Sequence, residues 1–304
     1  MEEKTPSAAD ETPLQRWLAR LVAARPEEIR ALLWSFAYFF CLLAGYYVLR
    51  PLRDEMGVAG GVRNLQWLFT ATFLTMLAAV PVYGALVARL PRRRFIPIVY
   101  HFFVVNLAIF WLLLTFDVER LIVSRVFFVW ISVFVLFAVS VFWSFMADRY
   151  TPAQGKRLFG FIAAGGTAGS LAGPALTIGL APVLGPANLM LVAALFLEIA
   201  VLCVRRLEFA SLAAEKGNLQ QSESQALGGG SLAGIAMVLR SPYLAGIMLW
   251  VSLLSVAATF LYFEQARIVA AASDDPAVRT RIFASVDLAV GLLTIALQFF
   301  ARRQ

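Results

Sequence analysis

Charge, histidine and cysteine are scarce in this chain. Only 15% of its 304 residues are charged, one is histidine and two are cysteine. A soluble domain is nearer 25% charged and about 45–50% apolar. This chain is 61% apolar, with a mean hydropathy of +0.77, which excludes a soluble globular domain and indicates an integral membrane protein. A lone His101 excludes a site built on paired histidines. Cys41 and Cys203 each stand inside an apolar run, with neither a disulfide framework nor metal-ligand spacing. No metal and no cofactor are therefore expected. Gly155-Lys156 is not a phosphate loop, because no glycine stands five residues earlier and a lipid-depth helix follows. Ser170 lacks the G-x-S-x-G frame and a usable histidine partner. No enzymatic activity is expected. A cleaved signal peptide is also missing: the polar lead is long and no small-residue site follows a short apolar core.

What the chain has in quantity is apolar runs. About 20 apolar residues cross a bilayer. The pattern predicts helices over 31–49, 65–87, 95–116, 126–146, 158–180, 187–204, 243–263 and 282–301. Residues 1–12 are polar and acidic. Over 13–30, Leu14, Trp17, Leu18, Leu21 and Val22 recur at helical spacing between Arg16, Arg20 and Arg25, a pattern for a helix lying on the membrane surface. The net charge is +7, and the basic residues are nearly all arginine. Such an excess in a membrane protein marks cytoplasmic loops rather than nucleic-acid binding. Of the 26 Lys and Arg, 18 fall on the side of the N-terminus, 88–94, 147–157, 205–242 and the tail, against eight on the other side. The asymmetry places both termini in the cytoplasm of a multi-pass protein of the cytoplasmic (inner) membrane. The loop at 205–242, ending near Gly228-Gly229-Gly230, reads as a linker between a six-helix bundle (31–204) and a second part (243–304).

Residues 142–174 carry the densest signals. Phe142-Trp143 closes one helix, and Asp148, Arg149, Tyr150, Lys156 and Arg157 form a charged loop. In the next helix Gly165, Gly169 and Gly173 stand four apart, one narrow stripe on which two backbones approach closely. Pro174 is expected to kink or break that helix. Asp148-Arg149-Tyr150 has the letters of a heptahelical-receptor signature but follows the fourth helix, not the third. Ionisable residues inside the spans each cost roughly 2.5–3.5 kcal/mol by insertion scales, so they are the candidates for function. They are His101, Glu198 and Asp287. The bland readings are a hydrogen bond to a neighbouring helix for His101 and a snorkelling or lipid-facing acid for Glu198. For Asp287 the reading is a cavity or interhelical role. Arg50 and Arg53, at the end of the first predicted helix, are either interfacial anchors or the basic pair that attracts an anionic solute at the outer mouth, with Asp54 and Glu55 placed to pair with them.

Six helices, a long linker and further helices resemble the layout of the major facilitator superfamily, whose members have two six-helix halves. Gly84-Ala-Leu-Val-Ala-Arg89-Leu-Pro91-Arg92-Arg93 resembles the signature loop G-x-x-x-D-R-x-G-R-R, with Ala88 in place of the acid and Pro91 in place of the second glycine. Gly169-x-x-x-Gly173-Pro174 resembles the glycine-proline motif of the fifth helix in exchangers of that superfamily. Tyr46-Tyr47-Val48-Leu49-Arg50-Pro51-Leu52-Arg53-Asp54 is similar to the first-helix end of the ATP/ADP translocase family. There a Leu-Arg pair is followed three residues later by a basic residue and then Asp. Phe142-Trp143 and Gly155-Lys156-Arg157-Leu158-Phe159-Gly160 are like that family's Phe-Trp, Ala-Lys-Arg and glycine run. The translocases favour lysine where Arg53 stands, a change of donor geometry at constant charge.

The resemblance covers roughly 31–180. It implies an all-α major facilitator-type bundle that exchanges an anionic solute such as a nucleotide by alternating access, and the apolar runs supply about eight transmembrane helices for it, six in the N-terminal half and two in the second. It implies Arg50, Arg53, Asp54, Lys156 and Arg157 as candidate substrate residues, to which the ionisable residues inside the spans add Glu198 and Asp287. It also implies Gly84, Arg89, Arg92, Arg93, Gly169, Gly173 and Pro174 as packing or conformational ones, and the glycine spacing adds Gly165. Partners would be the lipid bilayer and a small anion. A complete member has about twelve helices, so a truncated or reduced second half is expected after Arg302-Arg303-Gln304. The alternatives are a proton-coupled exporter of another solute and a non-transporting truncated membrane protein.

Overall fold

Eight long helices carry the residues that this computed structural model describes, 24–89, 92–214 and 241–301, and no strand occurs among them. They are α1 (Pro26–Ala59), α2 (Leu65–Arg89), α3 (Arg92–Thr115), α4 (Arg120–Arg149), α5 (Pro152–Leu184), α6 (Leu189–Ala214), α7 (Pro242–Ala272) and α8 (Pro276–Ala301), with one 3-10 turn at Val62–Asn64. Seven of the eight are long and apolar enough to cross a membrane. α6 is the exception, with Glu198, Arg205 and Arg206 among its first 18 residues. The chain is thus an all-helical protein of multi-pass membrane type. Residues 13–23 of the expected surface helix, Leu90 and Pro91 of the signature loop, and 215–240 of the expected linker lie outside the described residues.

The helices overrun the apolar runs that predict them. Hydropathy ends where charge begins, but a helix continues while its backbone hydrogen bonds are made and its charges find partners. The first helix was expected to end at residue 49 and runs to Ala59, through Pro51, so Arg50 and Arg53 stand inside a helix and not at its end. The fourth begins at Arg120 rather than 126, the sixth takes the first ten residues of the expected linker, and the eighth begins at Pro276 rather than 282. The fifth passes unbroken through Pro174 to Leu184, against the expected break. Prolines are tolerated in spanning helices where neighbouring helices and hydroxyl side chains satisfy the freed backbone groups. The carbonyl that Pro174 leaves without its helix donor is that of Ser170, while the Thr177 hydroxyl donates to the neighbouring Gly173 carbonyl at 3.0 Å.

α1 is the hub, packing on α4, α5, α6 and α8. It starts cleanly: Pro26 occupies the first turn, where a missing N–H costs nothing, and Glu28 accepts from the Arg25 N–H at 2.9 Å. Leu32, Tyr38, Leu42, Leu49 and Leu52 bury one face of it completely. The glycine stripe of α5 lies against this helix. A Cβ on Gly165 would stand 2.5 Å from the Phe36 carbonyl oxygen, one on Gly169 2.5 Å from that of Phe40, and one on Gly173 2.8 Å from that of Ala44. The three glycines are therefore the contact surface of two backbones. Phe142 and Trp143 serve the same core: Phe142 stacks on Phe39 with centroids 4.1 Å apart, and Trp143 meets Phe39 edge-on. α7 differs from the rest. It buries only Ala266 and Val269, near its C-terminal end, where they join Val58, Leu65, Leu68, Phe128 and Phe283 in a small second cluster.

At one end of the bundle α1, α4 and α5 meet through polar side chains. Arg157 donates to Glu28 at 3.1 Å, Gln154 donates to Glu28 at 2.9 Å, and buried Ser35 and Tyr150 share a hydrogen bond of 2.8 Å. Burial pushes the Tyr150 phenol above its ordinary value of 10, while the Ser35 bond and Arg149 pull the other way. The folded state holds this proton more tightly than the unfolded chain. That stabilisation is whole below about pH 10 and is lost as the pH rises through the folded value. Tyr150→Phe leaves the Ser35 hydroxyl without this partner and should cost about 1–3 kcal/mol. It should also flatten the alkaline loss of stability, both read from thermal melting between neutral and alkaline pH.

Candidate functional site

The other end of α1 holds six charged side chains within the apolar spans. Arg50, Arg53, Asp54 and Glu55 come from α1 and Arg279 and Asp287 from α8. Three are cations and three are anions, so the group is neutral as a whole. An isolated ion in hydrocarbon is costly, and breaking a buried pair costs more than the pair is worth. Each charge here has an opposite partner. Arg53 turns its Nε and Nη2 onto Asp54 Oδ1, at 2.9 and 2.6 Å. The Tyr262 hydroxyl of α7 donates to the same oxygen at 3.0 Å. The guanidinium of Arg53 lies over the Phe128 ring at 5.1 Å and near the Tyr262 ring at 5.9 Å, both favourable for a cation. Arg279 Nη2 donates to Glu55 Oε1 at 2.8 Å, and its Nη1 donates to the Ser273 carbonyl. Arg50 Nη1 faces Asp287 Oδ1 at 3.3 Å, with the guanidinium 5.6 Å from the Tyr47 ring centroid.

Local sequence explains how these groups meet. Arg50, Arg53 and Asp54 fall at i, i+3 and i+4, so all lie on one face of α1. Glu55 stands one residue further round and reaches Arg279 in the first turn of α8, two turns before Asp287. Gly61, at φ +96°, lets the chain turn sharply out of α1. The Arg125 guanidinium donates twice to the Gly60 carbonyl and pins α4 to that turn.

The candidates from the sequence separate into three places. Arg50, Arg53, Asp54 and Asp287 come together in this network. Lys156, exposed, and Arg157, on Glu28, lie at the opposite end of α1, roughly 33 Å along the axis at 1.5 Å per residue. Glu198 faces His101 across α6 and α3, with Nε2 and Oε2 3.7 Å apart and both side chains nearly half exposed. The other ring nitrogen of His101, Nδ1, is 2.6 Å from the Pro97 carbonyl oxygen. Gly84 has no atom within 4 Å of a Cβ position, so no close packing constrains it. Arg89 closes α2, and Arg92 and Arg93 open α3. The sequence reading missed Arg279 as Glu55's partner, and Tyr262 altogether. The usable signal was the pairing requirement itself: once Arg53 and Asp54 pair on α1, Arg50 and Glu55 are left to find counter-charges on another helix.

Arg50 differs from its neighbours. Its side chain is 36% exposed, whereas none of the other five exceeds 17%. Its single charged contact leaves guanidinium donors open to a ligand. Arg53's fork, by contrast, is occupied by Asp54. A cavity of about 600 Å³ is lined by Arg63, Gln66, Phe263 and Arg267, and none of the six network residues is in its wall. A larger one, about 790 Å³, lies between α2, α3 and α4, and Arg125 is the only charged residue in its otherwise almost wholly apolar wall. For a charged solute the smaller cavity is the relevant one, because only it offers more than one cation. The described residues contain no cluster of three or more His, Cys, Asp or Glu able to hold a metal. Comparison with protein-family models, curated proteins and solved structures returned no match, so what this site does rests on its own geometry.

Proposed function

We propose that the chain is a membrane transporter of the major facilitator type, which carries a small anionic solute across the cytoplasmic membrane by rocking two helix groups about a site between them. A nucleotide of the ATP/ADP kind is the solute that the motif around Arg50 and Arg53 suggests. The observation that supports this reading is the neutral six-charge network tying α1 to α7 and α8 within the membrane spans. Ion pairs between separate helix groups form and break as units, which suits a gate that closes one end of a pathway. Arg63 and Arg267, in the wall of the 600 Å³ cavity, would draw an anion toward the protein, and Arg50 would receive it.

The test is uptake of labelled ADP or ATP by proteoliposomes, against a neutral solute of similar size. Nucleotide uptake without neutral-solute uptake is expected, and its absence for every anion tried would overturn the reading. Arg50→Gln should weaken ADP binding to the purified protein by about 1.5–3 kcal/mol, the scale of a charge-assisted hydrogen bond, or roughly 10- to 150-fold. Arg50→Lys should recover the charge but not the bidentate fork.

A further inference from the structure

We infer that Asp287 takes up one proton when an incoming anion replaces it on Arg50, so that anion binding at this site is coupled to proton binding. The inference rests on the proposed role of Arg50 as the anion receptor.

Asp287 is the least supported charge of the network. Its side chain is only 9% exposed, and its single charged contact is the 3.3 Å approach of Arg50 to Oδ1. Oδ2 is buried and has no hydrogen-bond partner. Compare Asp54, whose Oδ1 receives three donors between 2.6 and 3.0 Å, and Glu55, held by Arg279 at 2.8 Å. An anion that takes the Arg50 fork removes the sole counter-charge of Asp287. An ionised carboxylate left alone in an apolar span is too costly to persist, and a neutral carboxyl is not. The proton comes from water and binds a carboxylate oxygen, for which bare Oδ2 is available. The proton taken up offsets one of the negative charges that the anion brings.

Among the described residues no other charged group stands ready to substitute for Arg50. On α1, Arg53 and Asp54 also act on Asp287, but they hold each other. Tyr46 and Tyr47 of α1 and Tyr262 of α7 are phenols, and Tyr262 is engaged with Asp54. On α8 itself, Arg279 is committed to Glu55, and Arg281 is exposed. α5 packs on α8, with Leu171 against Gly291, but its only charged residues, Lys156 and Arg157, stand at its far end. Linkage makes the coupling reciprocal: protonating Asp287 frees Arg50 and tightens anion binding by the same factor.

The experiment is calorimetric titration of the purified full chain with ADP at about pH 8, where ADP is fully ionised, in two buffers of different ionisation enthalpy. The difference gives protons taken up per ADP bound. Wild type should take up close to one, and its ADP affinity should fall as the pH rises. Asp287→Asn, isosteric but unable to ionise, should bind ADP with no proton uptake and no such pH dependence. Wild-type binding without proton uptake overturns the coupling and leaves the anion site standing, a result that needs no variant. Uptake unchanged in Asp287→Asn likewise overturns it. Failure of wild type to bind ADP, inorganic phosphate or any other anion overturns the anion site, and the coupling falls with it.

Discussion

Gly169→Leu should abolish the folded protein. The α5 stripe does not face a side-chain cushion that could yield. A Cβ at 169 meets the Phe40 carbonyl oxygen at 2.5 Å and the Ala44 nitrogen at 2.9 Å, both backbone atoms of the hub helix. Real Cβ atoms essentially never approach so closely, so α1 and α5 must separate. Overpacking typically costs 1–3 kcal/mol for an added methylene or two. Gly169→Ala should fall near the top of that range, and Leu, with three more carbons, beyond it. Separation would spread, because α8 also packs on α5 through the Leu171–Gly291 contact, where a Cβ would stand 2.8 Å from the Leu171 side chain. Gly84→Leu and Gly179→Ala are the controls: nothing lies within 4 Å of either position. Monodisperse yield and thermal melting in detergent measure all four. A Gly169→Leu protein that melts like wild type would mean α1 and α5 do not meet at this stripe.

The stripe was legible because its signal is a spacing, and spacing survives without knowledge of the partner. Which helix it packs on was not legible, since any neighbour with accessible backbone would fit. The network was half legible for the opposite reason. A hydropathy reading treats each charge as the end of a span. It therefore stopped the first helix before Arg50 and started the eighth after Arg281, which turned Glu55 and Arg279 into loop residues. In the fold Arg50, Glu55 and Arg279 each have a partner, and neutralised pairs permit the helix to continue. Pro174 was misjudged similarly: a proline breaks a lone helix, but this one is buried between α1 and α8. His101 and Glu198 were each read alone, and only the approach of α3 to α6 brings them within 3.7 Å.

Arg279→Ala should destabilise the protein by about 3–5 kcal/mol, the cost of leaving a buried carboxylate unpaired. Glu55 is only 4% exposed, and among the described residues Arg279 is the only charged group that hydrogen-bonds its carboxylate. Thr280, the next residue, is wholly buried, so α8 has no slack with which to bring water to Glu55. The matching surface test is Arg267→Ala. Arg267 pairs with Glu264 at 2.6 Å, shorter than the Glu55 contact, but both side chains are more than 60% exposed. Its loss should cost well under 1 kcal/mol, since exposed pairs contribute little. Distance alone would predict the reverse order, and burial decides it. Removing both partners, as Glu55→Leu with Arg279→Leu, should recover most of the loss, because no ion then remains unpaired. A double-mutant cycle in thermal or denaturant unfolding separates the terms. A large coupling, with the double variant close to wild type, is the signature of a buried pair whose two halves must leave together. For a gate this matters more than the pair's net contribution. A pair that is costly to half-break but cheap to remove whole has two stable conditions, closed with both charges joined and open with both solvated, and nothing stable between. An additive result, with Arg279→Ala as mild as Arg267→Ala, would show that Glu55 finds another partner and that this contact does not hold α1 to α8.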